Sequence, residues 1–183
     1  MGTLQELAVD LGAEERTLRR AAAQGTLRCR RPGPRRLLLL AGEHDYLRGH
    51  WDLLSDLRQA LRTEREVCLA VLYGSLARGD DDAGSDLDLL VSLAGEGREA
   101  VSGLAARLGQ IAGHNVDLAH LDRVEAQAPL LLDRVLDEGR VLVDRDGLWV
   151  GLRNRRRAIR ARGLRAHSRQ MASAARAIEE LVG

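Results

Sequence analysis

The chain has 183 residues, of which 45% are apolar, and its 28 basic and 27 acidic residues leave a formal net charge of +1. This is enough for one or two small domains with a hydrophobic core. No apolar run approaches the roughly 18 residues that span a bilayer, and no charged and apolar leader opens the chain, so we expect a cytoplasmic protein without membrane contact. Cys29 and Cys68 lack the spacing of metal ligands, which leaves little support for a zinc site or a disulfide.

The near-neutral total conceals a segregation of charge along the chain. Residues 1–40 carry eight arginines against four acidic residues, and residues 148–183 carry nine against two, so the segment between them is strongly acidic. Basic segments often contact nucleic acid or an acidic partner, although a run of charge is more often a solvated face. The chain therefore divides into an acidic central module and two basic ends.

Two short helices are predicted at the start of the chain. Thr3 and Glu6 form a capping box, in which each side chain bonds the backbone N–H of the other residue, and Gly12 ends the first helix. A second helix over residues 13–22 turns Leu18 inward and leaves its arginines on the polar side.

A β-hairpin follows, with Pro32-Gly33-Pro34 as the turn between two strand-like runs. This order is typical of a winged helix-turn-helix, which we place at residues 1–41; its second helix would enter the major groove of DNA while the wing holds phosphates. Small domains that bind only protein share the pattern, so DNA binding is one of two interpretations. The candidate DNA-binding residues are Arg16, Arg19, Arg20, Arg28, Arg30, Arg31, Arg35 and Arg36.

Residues 42–65 predict a linker helix between this domain and the acidic module. Its apolar residues recur at three- and four-residue steps, which indicates a helix with one buried face. They are Tyr46, Leu47, Trp51, Leu54, Leu57 and Leu61. We expect this face to cover one side of a β-sheet. His44 and His50 have no second ligand at a spacing that indicates a metal site.

The acidic module contains the stretch with the clearest chemical signal. An apolar strand, Val67–Leu72, leads into Gly74-Ser75 and a short helix. Backbone N–H groups at the start of a helix have no partner within it and point at an anion, and Gly74 has no Cβ to keep a phosphate away. This turn therefore predicts a phosphate-binding site.

A pair of carboxylates, Asp86 and Asp88, opens the next apolar run. Side chains two positions apart in a strand point the same way, so these carboxylates share one face while Leu87 and Leu89 enter the core. Two carboxylates this close repel each other unless a hard divalent cation lies between them. Oxygen ligands suit Mg²⁺ or Mn²⁺, the ions that serve nucleotidyl transfer.

The arrangement of Gly74 and Ser75, ten further residues, and Asp86 and Asp88 resembles the signature of the polymerase-β-like nucleotidyltransferases. It is most similar to that of the minimal nucleotidyltransferases, which act as antitoxins to HEPN-type toxins. That family carries a third carboxylate on a later strand, and Asp117 matches it within H-N-V-D-L. A proline and a G-x-V-L segment, here Pro129 and residues 139–142, extend the resemblance from Val67 to Asp144.

The resemblance implies both a fold and a reaction. The fold is α/β, with a mixed sheet and flanking helices over residues 66–147. The reaction is the Mg²⁺-dependent transfer of AMP from ATP to a hydroxyl group, and the implied acceptor is a tyrosine of a HEPN-type toxin. A fused winged helix-turn-helix departs from the minimal pattern of this family. The implied site comprises the catalytic and metal-binding residues Asp86, Asp88 and Asp117 and the nucleotide-binding residues Gly74, Ser75, Arg78 and Ser85.

The remaining elements of the module fit a mixed sheet with crossovers. A helix over residues 97–112 returns the chain to a strand at Val116–Leu118. If this strand neighbours the second one, Asp117 faces the other two carboxylates, where it would draw the proton from an acceptor hydroxyl or complete the coordination of a second metal ion. We expect one further helix at residues 124–138 and a strand at 141–143.

Residues 148–183 predict one long basic helix, with a bend at Gly163. Its apolar stripe has two interpretations: it packs on the sheet as core, or it presents a face to another protein or to a second copy in a homo-oligomer. We favour the first for residues 148–159 and the second for the end of the helix. Arg162 and His167 have the R-x4-H spacing of HEPN ribonucleases, but 36 residues cannot supply the helical bundle of that fold, so we interpret the match as coincidence.

Two alternatives to a toxin acceptor stay open. The first keeps the chemistry and transfers the nucleotide to a small molecule, as in aminoglycoside nucleotidyltransferases, although those usually add a helical substrate-binding domain. The second is a DNA-binding regulator whose nucleotidyltransferase module only senses nucleotide. A sensor has no need for the third carboxylate, Asp117.

Overall fold

The computed structural model describes residues 3–33, 36–95 and 98–182 of the chain. Its amino-terminal part consists of two helices, a two-stranded antiparallel hairpin and a long helix. These are α1 (Leu4–Asp10), α2 (Glu15–Gln24), β1 (Cys29–Gly33), β2 (Arg36–Leu39) and α3 (Glu43–Thr63). The order is the predicted one, although α2 begins later than the sequence suggested.

Local signals explain the ends of the first helices. The Glu6 N–H donates to Thr3 Oγ1 at 3.2 Å and the Thr3 N–H donates to Glu6 Oε2 at 2.7 Å, so the predicted capping box is present. Gly25 ends α2 with a φ of +93°, a backbone conformation that costs glycine little.

Four strands form a mixed sheet. They are β3 (Val67–Tyr73), β4 (Leu87–Leu93), β5 (Val116–His120) and β6 (Arg140–Asp144). Their spatial order is β5-β4-β3-β6, in which the β4–β5 pair is parallel and the other two pairs are antiparallel. A short helix, α4 (Gly74–Arg78), follows β3, and α5 (Arg98–Ala112) connects β4 to β5. The predicted mixed α/β sheet is confirmed.

The segment predicted as one helix over residues 124–138 forms two, and that prediction was wrong. α6 (Leu121–Gln127) and α7 (Pro129–Glu138) are separated by Ala128, which has a φ of −133° and a ψ of 55°. Proline disfavours helical backbone in the residue before it and lacks the N–H that would continue the ladder, yet it suits the first position of a helix. Pro129 therefore ends one helix and starts the next.

The carboxyl-terminal segment is one helix, α8 (Leu148–Val182). Trp149, Leu152 and Ile159 are buried against the sheet, which confirms that the first part of this segment belongs to the core. The side chains of residues 167–178 are all exposed. None of the helices in the described part of the chain combines the length and apolar composition that a membrane crossing needs.

The two faces of the sheet belong to two different cores. Leu72 of β3 and Leu89 of β4 lie in a core that also contains apolar residues of α1, α2, α3 and α5. Val71 and Leu90, on the opposite face, pack with α6, α7 and the start of α8. The amino-terminal helices and hairpin thus share one continuous core with the sheet.

Candidate active site

Three carboxylates lie where β4 and β5 begin. Asp88 lies opposite Asp117 in the parallel β4–β5 pair and opposite Tyr73 in the antiparallel β3–β4 pair. Asp86 immediately precedes β4, and Leu87 between the two acids is fully buried. The structure therefore brings all three predicted carboxylates to the end of β3 where α4 begins, in a region that we call the acidic cleft.

Gly74 lets α4 begin directly against this cleft. Its φ is +76°, and a Cβ added at this position would overlap the Asp88 carboxylate. Any other residue would combine an unfavourable backbone conformation with a clash. The glycine that the sequence assigned to phosphate binding is thus required already by the approach of Asp88.

The electrostatics of the cleft follow from this crowding. Burial raises the pKa of Asp88, and the negative charges of Asp117 and then Asp86 raise it further. Burial together with Asp88 and Asp117 also raises the pKa of Tyr73 to about 12, so its phenol keeps its proton at neutral pH. A bound cation would relieve this repulsion between the carboxylates.

The donors of the cleft fit a hard divalent ion. All three are carboxylate oxygens, the ligand type that Mg²⁺ and Mn²⁺ prefer. Within residues 3–33, 36–95 and 98–182, no three His, Cys, Asp or Glu side chains, and so not Asp86, Asp88 and Asp117 together, form a group that could hold a metal ion by themselves. Mg²⁺ is usually bound by one or two carboxylates together with substrate phosphates.

A fourth acid, Glu138, reaches the same region from the end of α7. Its Oε1 accepts hydrogen bonds from Arg78 Nη1 at 3.1 Å and from the Gly74 N–H at 3.3 Å. Arg78 also donates through Nε to Asp80 Oδ2 at 3.1 Å, so the predicted nucleotide-binding arginine lies between two carboxylates. No local pattern marks Glu138 in the sequence, because it lies 60 residues from Arg78.

The loop between α4 and β4 is more ordered than a solvated turn. Ser85, predicted to bind nucleotide, accepts from the Asp82 N–H at 2.9 Å and donates to Asp82 Oδ1 at 3.2 Å. Asp81 accepts from His50 Nε2 at 2.8 Å, and its side chain is 20% exposed. Asp81 is therefore tied to α3, and the Ser85 hydroxyl forms hydrogen bonds within the turn.

The arginines proposed to contact DNA differ in their surroundings. Arg28 points inward, where Nη2 donates to the carbonyl oxygens of Ala77 at 3.1 Å and Glu138 at 2.5 Å. Arg19 is paired with Glu15 on the surface of α2, and Arg35 lies outside the described residues. The others are exposed: Arg16, Arg20, Arg30, Arg31 and Arg36. Half-buried and bonded to two carbonyls, Arg28 is part of the fold rather than a DNA contact.

A buried ion pair, Glu43–Arg140, lies at the other end of α4. Arg140 Nη1 and Nη2 donate to the two oxygens of Glu43 at 2.7 and 3.0 Å, and both side chains are at most 2% exposed. Arg140 Nε donates to the Ala77 carbonyl at 2.7 Å, and its guanidinium lies 3.5 Å from the centre of the Tyr46 ring. The Tyr46 hydroxyl donates to the Leu76 carbonyl at 3.0 Å. We call this network the junction.

The chain matches one family model and is similar to several solved structures. A family model described as "Polymerase beta, Nucleotidyltransferase" matches residues 55–147. No curated protein matches the chain in sequence. Among solved structures, a toxin–antitoxin with AMP-PNP is 20% identical, with a TM-score of 0.47 over 71% of this chain and 98% of that one. A tri-AMPylated HEPN toxin in complex with MNT antitoxin, from Shewanella oneidensis, is 18% identical, with a TM-score of 0.45 over 72% of this chain and 97% of that one.

Proposed function

Because the chain belongs to the polymerase β nucleotidyltransferase family, whose model matches residues 55–147, we propose that it transfers AMP from ATP to a hydroxyl group. The observation that carries this proposal is the register of the sheet, which places Asp117 beside Asp88 and next to the start of α4. A nucleotide-binding module alone would not require a third carboxylate at that position.

The proposal assigns a role in this reaction to the residues of the motif. The turn at Gly74 and Ser75 would hold the phosphates, with Arg78 beside them; the Gly74 N–H itself donates to Glu138, so Gly74 would contribute mainly the space left by its missing side chain. Asp86 and Asp88 would hold Mg²⁺, which neutralises phosphate charge when bound. Asp117 would take the proton of the acceptor hydroxyl, whose oxygen bonds to the α-phosphorus while the bond to the bridging oxygen breaks and pyrophosphate leaves.

We propose a tyrosine of a HEPN-type toxin as the acceptor, on the motif that Gly74, Ser75, Asp86 and Asp88 share with the minimal nucleotidyltransferases. The test incubates purified protein, Mg²⁺ and the product of the adjacent gene with ATP labelled at either the α- or the γ-phosphate. We expect label on the acceptor from α-labelled ATP but not from γ-labelled ATP. The reason is that AMP carries the α-phosphate to the acceptor, while the γ-phosphate leaves in pyrophosphate. The double variant Asp86→Asn with Asp88→Asn should show no transfer.

The other outcomes of this assay separate the alternatives. Label on an added aminoglycoside but on no protein would favour a small-molecule acceptor. ATP binding without transfer to any acceptor would favour a nucleotide sensor. Transfer that persists in the double variant would place the catalytic site elsewhere.

We also propose that the exposed arginines of α2 and the hairpin contact DNA phosphates. Arg30, Arg31 and Arg36 are exposed on the hairpin, and Arg35 lies between the strands in sequence. Replacing these four by alanine should weaken DNA binding and flatten its dependence on salt, because fewer counterions are then released. The matched control is Arg153→Ala, on α8. An unchanged salt slope in the quadruple variant would exclude the hairpin as a DNA contact.

A further inference from the structure

Glu138 has no place in the reaction described above, yet its carboxylate lies among groups that do. Its side chain is 15% exposed and accepts hydrogen bonds from both Arg78 and the Gly74 N–H. These two donors flank α4, one at its first residue and one at its last. A single carboxylate thus joins the two ends of the proposed phosphate-binding turn.

The backbone around Glu138 fixes the position of this carboxylate. A Cβ at the next residue, Gly139, would come within 2.7 Å of Val71 Cγ1 and 2.5 Å of the Val135 carbonyl, so the chain is tightly packed against β3 at this point. The Glu138 carbonyl accepts a hydrogen bond from Arg28. The end of α7 is therefore held from both sides.

The charge of Glu138 is unfavourable for direct contact with a nucleotide. Asp86, Asp88 and Asp117 already make the cleft acidic, and a further carboxylate would repel a triphosphate. Arg78 compensates for this charge, because its Nη1 donates to Glu138 while its Nε donates to Asp80. The side chain of Arg78 remains 39% exposed, so it can contact a ligand without leaving either partner.

We propose that Glu138 is a positioning residue for nucleotide binding: it holds the Arg78 guanidinium and the Gly74 peptide in the orientation that receives the phosphates. Glu138 does not touch the nucleotide and acts through Arg78 and the Gly74 peptide. This inference rests on the proposed nucleotidyltransferase site. A guanidinium fixed by two carboxylates loses less side-chain freedom on binding than a free one.

A double-mutant cycle on AMP-PNP binding tests this role. The full-length chain and the variants Glu138→Ala, Arg78→Ala and the double variant are titrated with AMP-PNP and Mg²⁺ by calorimetry. Glu138→Ala should raise Kd about tenfold, the scale of one hydrogen bond to a charged group. In the Arg78→Ala background, the same change should have a smaller effect, because only the bond to the Gly74 N–H is then left to lose.

Controls separate this role from a loss of folding. Asp137→Ala removes the neighbouring acid, which pairs with Arg156 on α8, and should leave Kd unchanged. Glu138→Gln keeps an acceptor for Gly74 and Arg78 and should recover part of the affinity. Glu138→Ala should raise KM for ATP more than it lowers kcat, whereas a general loss of structure would lower the amount of active protein at constant KM.

Three results would overturn the inference: an unchanged Kd in Glu138→Ala, tighter binding in that variant, or equal effects with and without Arg78. Tighter binding would show that Glu138 competes with the phosphates. If the wild-type chain itself binds no AMP-PNP, the proposed function fails as well. A wild type that binds normally beside an unaffected Glu138→Ala variant defeats only the positioning role.

Discussion

The two ends of α4 face charged groups that are arranged in opposite ways. At the last turn of the helix, the Tyr46 hydroxyl donates to the Leu76 carbonyl and the Arg140 guanidinium donates to the Ala77 carbonyl. The acid of the junction, Glu43, accepts from Nη1 and Nη2 of Arg140. At the first residue, Gly74 lies against Asp88, whose neighbours are further carboxylates. Cations suit the carboxyl end of a helix and anions its start.

The difference shows that the charges of the junction are paired within the chain, whereas the carboxylates of the cleft repel one another. The junction buries its charges and pairs them, which is how folded proteins tolerate ions away from water. In the cleft, the neighbouring acids raise the pKa of Asp88, whereas a paired cation would lower it. We therefore expect changes at the junction to act mainly on stability and changes at the cleft mainly on activity.

The largest effect is expected from breaking the junction pair. Arg140→Met leaves Glu43 buried without its main partner and should lower the free energy of unfolding by about 3–5 kcal/mol. Urea denaturation followed by circular dichroism measures this loss. The double variant Glu43→Met with Arg140→Met removes both charges and should recover much of the stability. A single variant as stable as the wild type would contradict the view that the junction holds the fold.

Asp88→Asn, in the cleft, should lower transfer activity and raise the free energy of unfolding. Transfer should fall about 10²- to 10³-fold, the scale for loss of one preorganised electrostatic group. Because the pKa of Asp88 is raised, the folded chain keeps this proton to a higher pH than the unfolded chain does. The unfolding free energy therefore decreases as pH rises from the ordinary value of 3.8 to the raised pKa, and Asn removes that decrease.

Two measurements check this prediction at once. Labelled-ATP transfer gives the activity, and urea denaturation at pH 4 and pH 7 gives the stability. The gain of Asp88→Asn over the wild type should be larger at pH 7. Asp122→Asn, on α6, is the matched control. A variant less stable than the wild type at pH 7 would mean that Asp88 has a compensating partner.

Gly74→Ala is expected to have the smallest of the three effects. The new methyl group meets the Asp88 carboxylate and the backbone is held at a positive φ, so the start of α4 must shift. A shift of about 1 Å at a catalytic group costs about 10²-fold in rate. Transfer assays measure this, and Gly151→Ala, where an added Cβ meets nothing within 4 Å, is the control. Equal activity of the two variants would show that the close approach at Gly74 is dispensable.

The parts of the site that the sequence predicted are those with short-range patterns. The strand, the Gly-Ser turn and the pair Asp86 and Asp88 lie within one stretch, and alternation in a strand is enough to place Leu87 in the core. Asp117 required the resemblance, since only the order of strands in the sheet brings it to Asp88.

The junction and Glu138 could not be predicted in the same way. Glu43 and Arg140 are 97 residues apart, and neither differs in the sequence from a surface residue of its helix or strand. Arg28 was assigned to DNA because it lies in a basic run, although it faces the end of α7. Charge patterns locate exposed arginines well, but they do not show which of them the fold turns inward.

The shared core of the amino-terminal elements and the sheet determines where the molecule can be divided. Leu7 of α1 and Leu18 of α2 are fully buried in the same cluster as Leu72 of β3. A fragment that starts at residue 42 would expose this surface and would also lose the Arg28 side chain that braces Ala77 and Glu138. Any DNA bound by the first 41 residues would therefore be held in a fixed orientation relative to the acidic cleft.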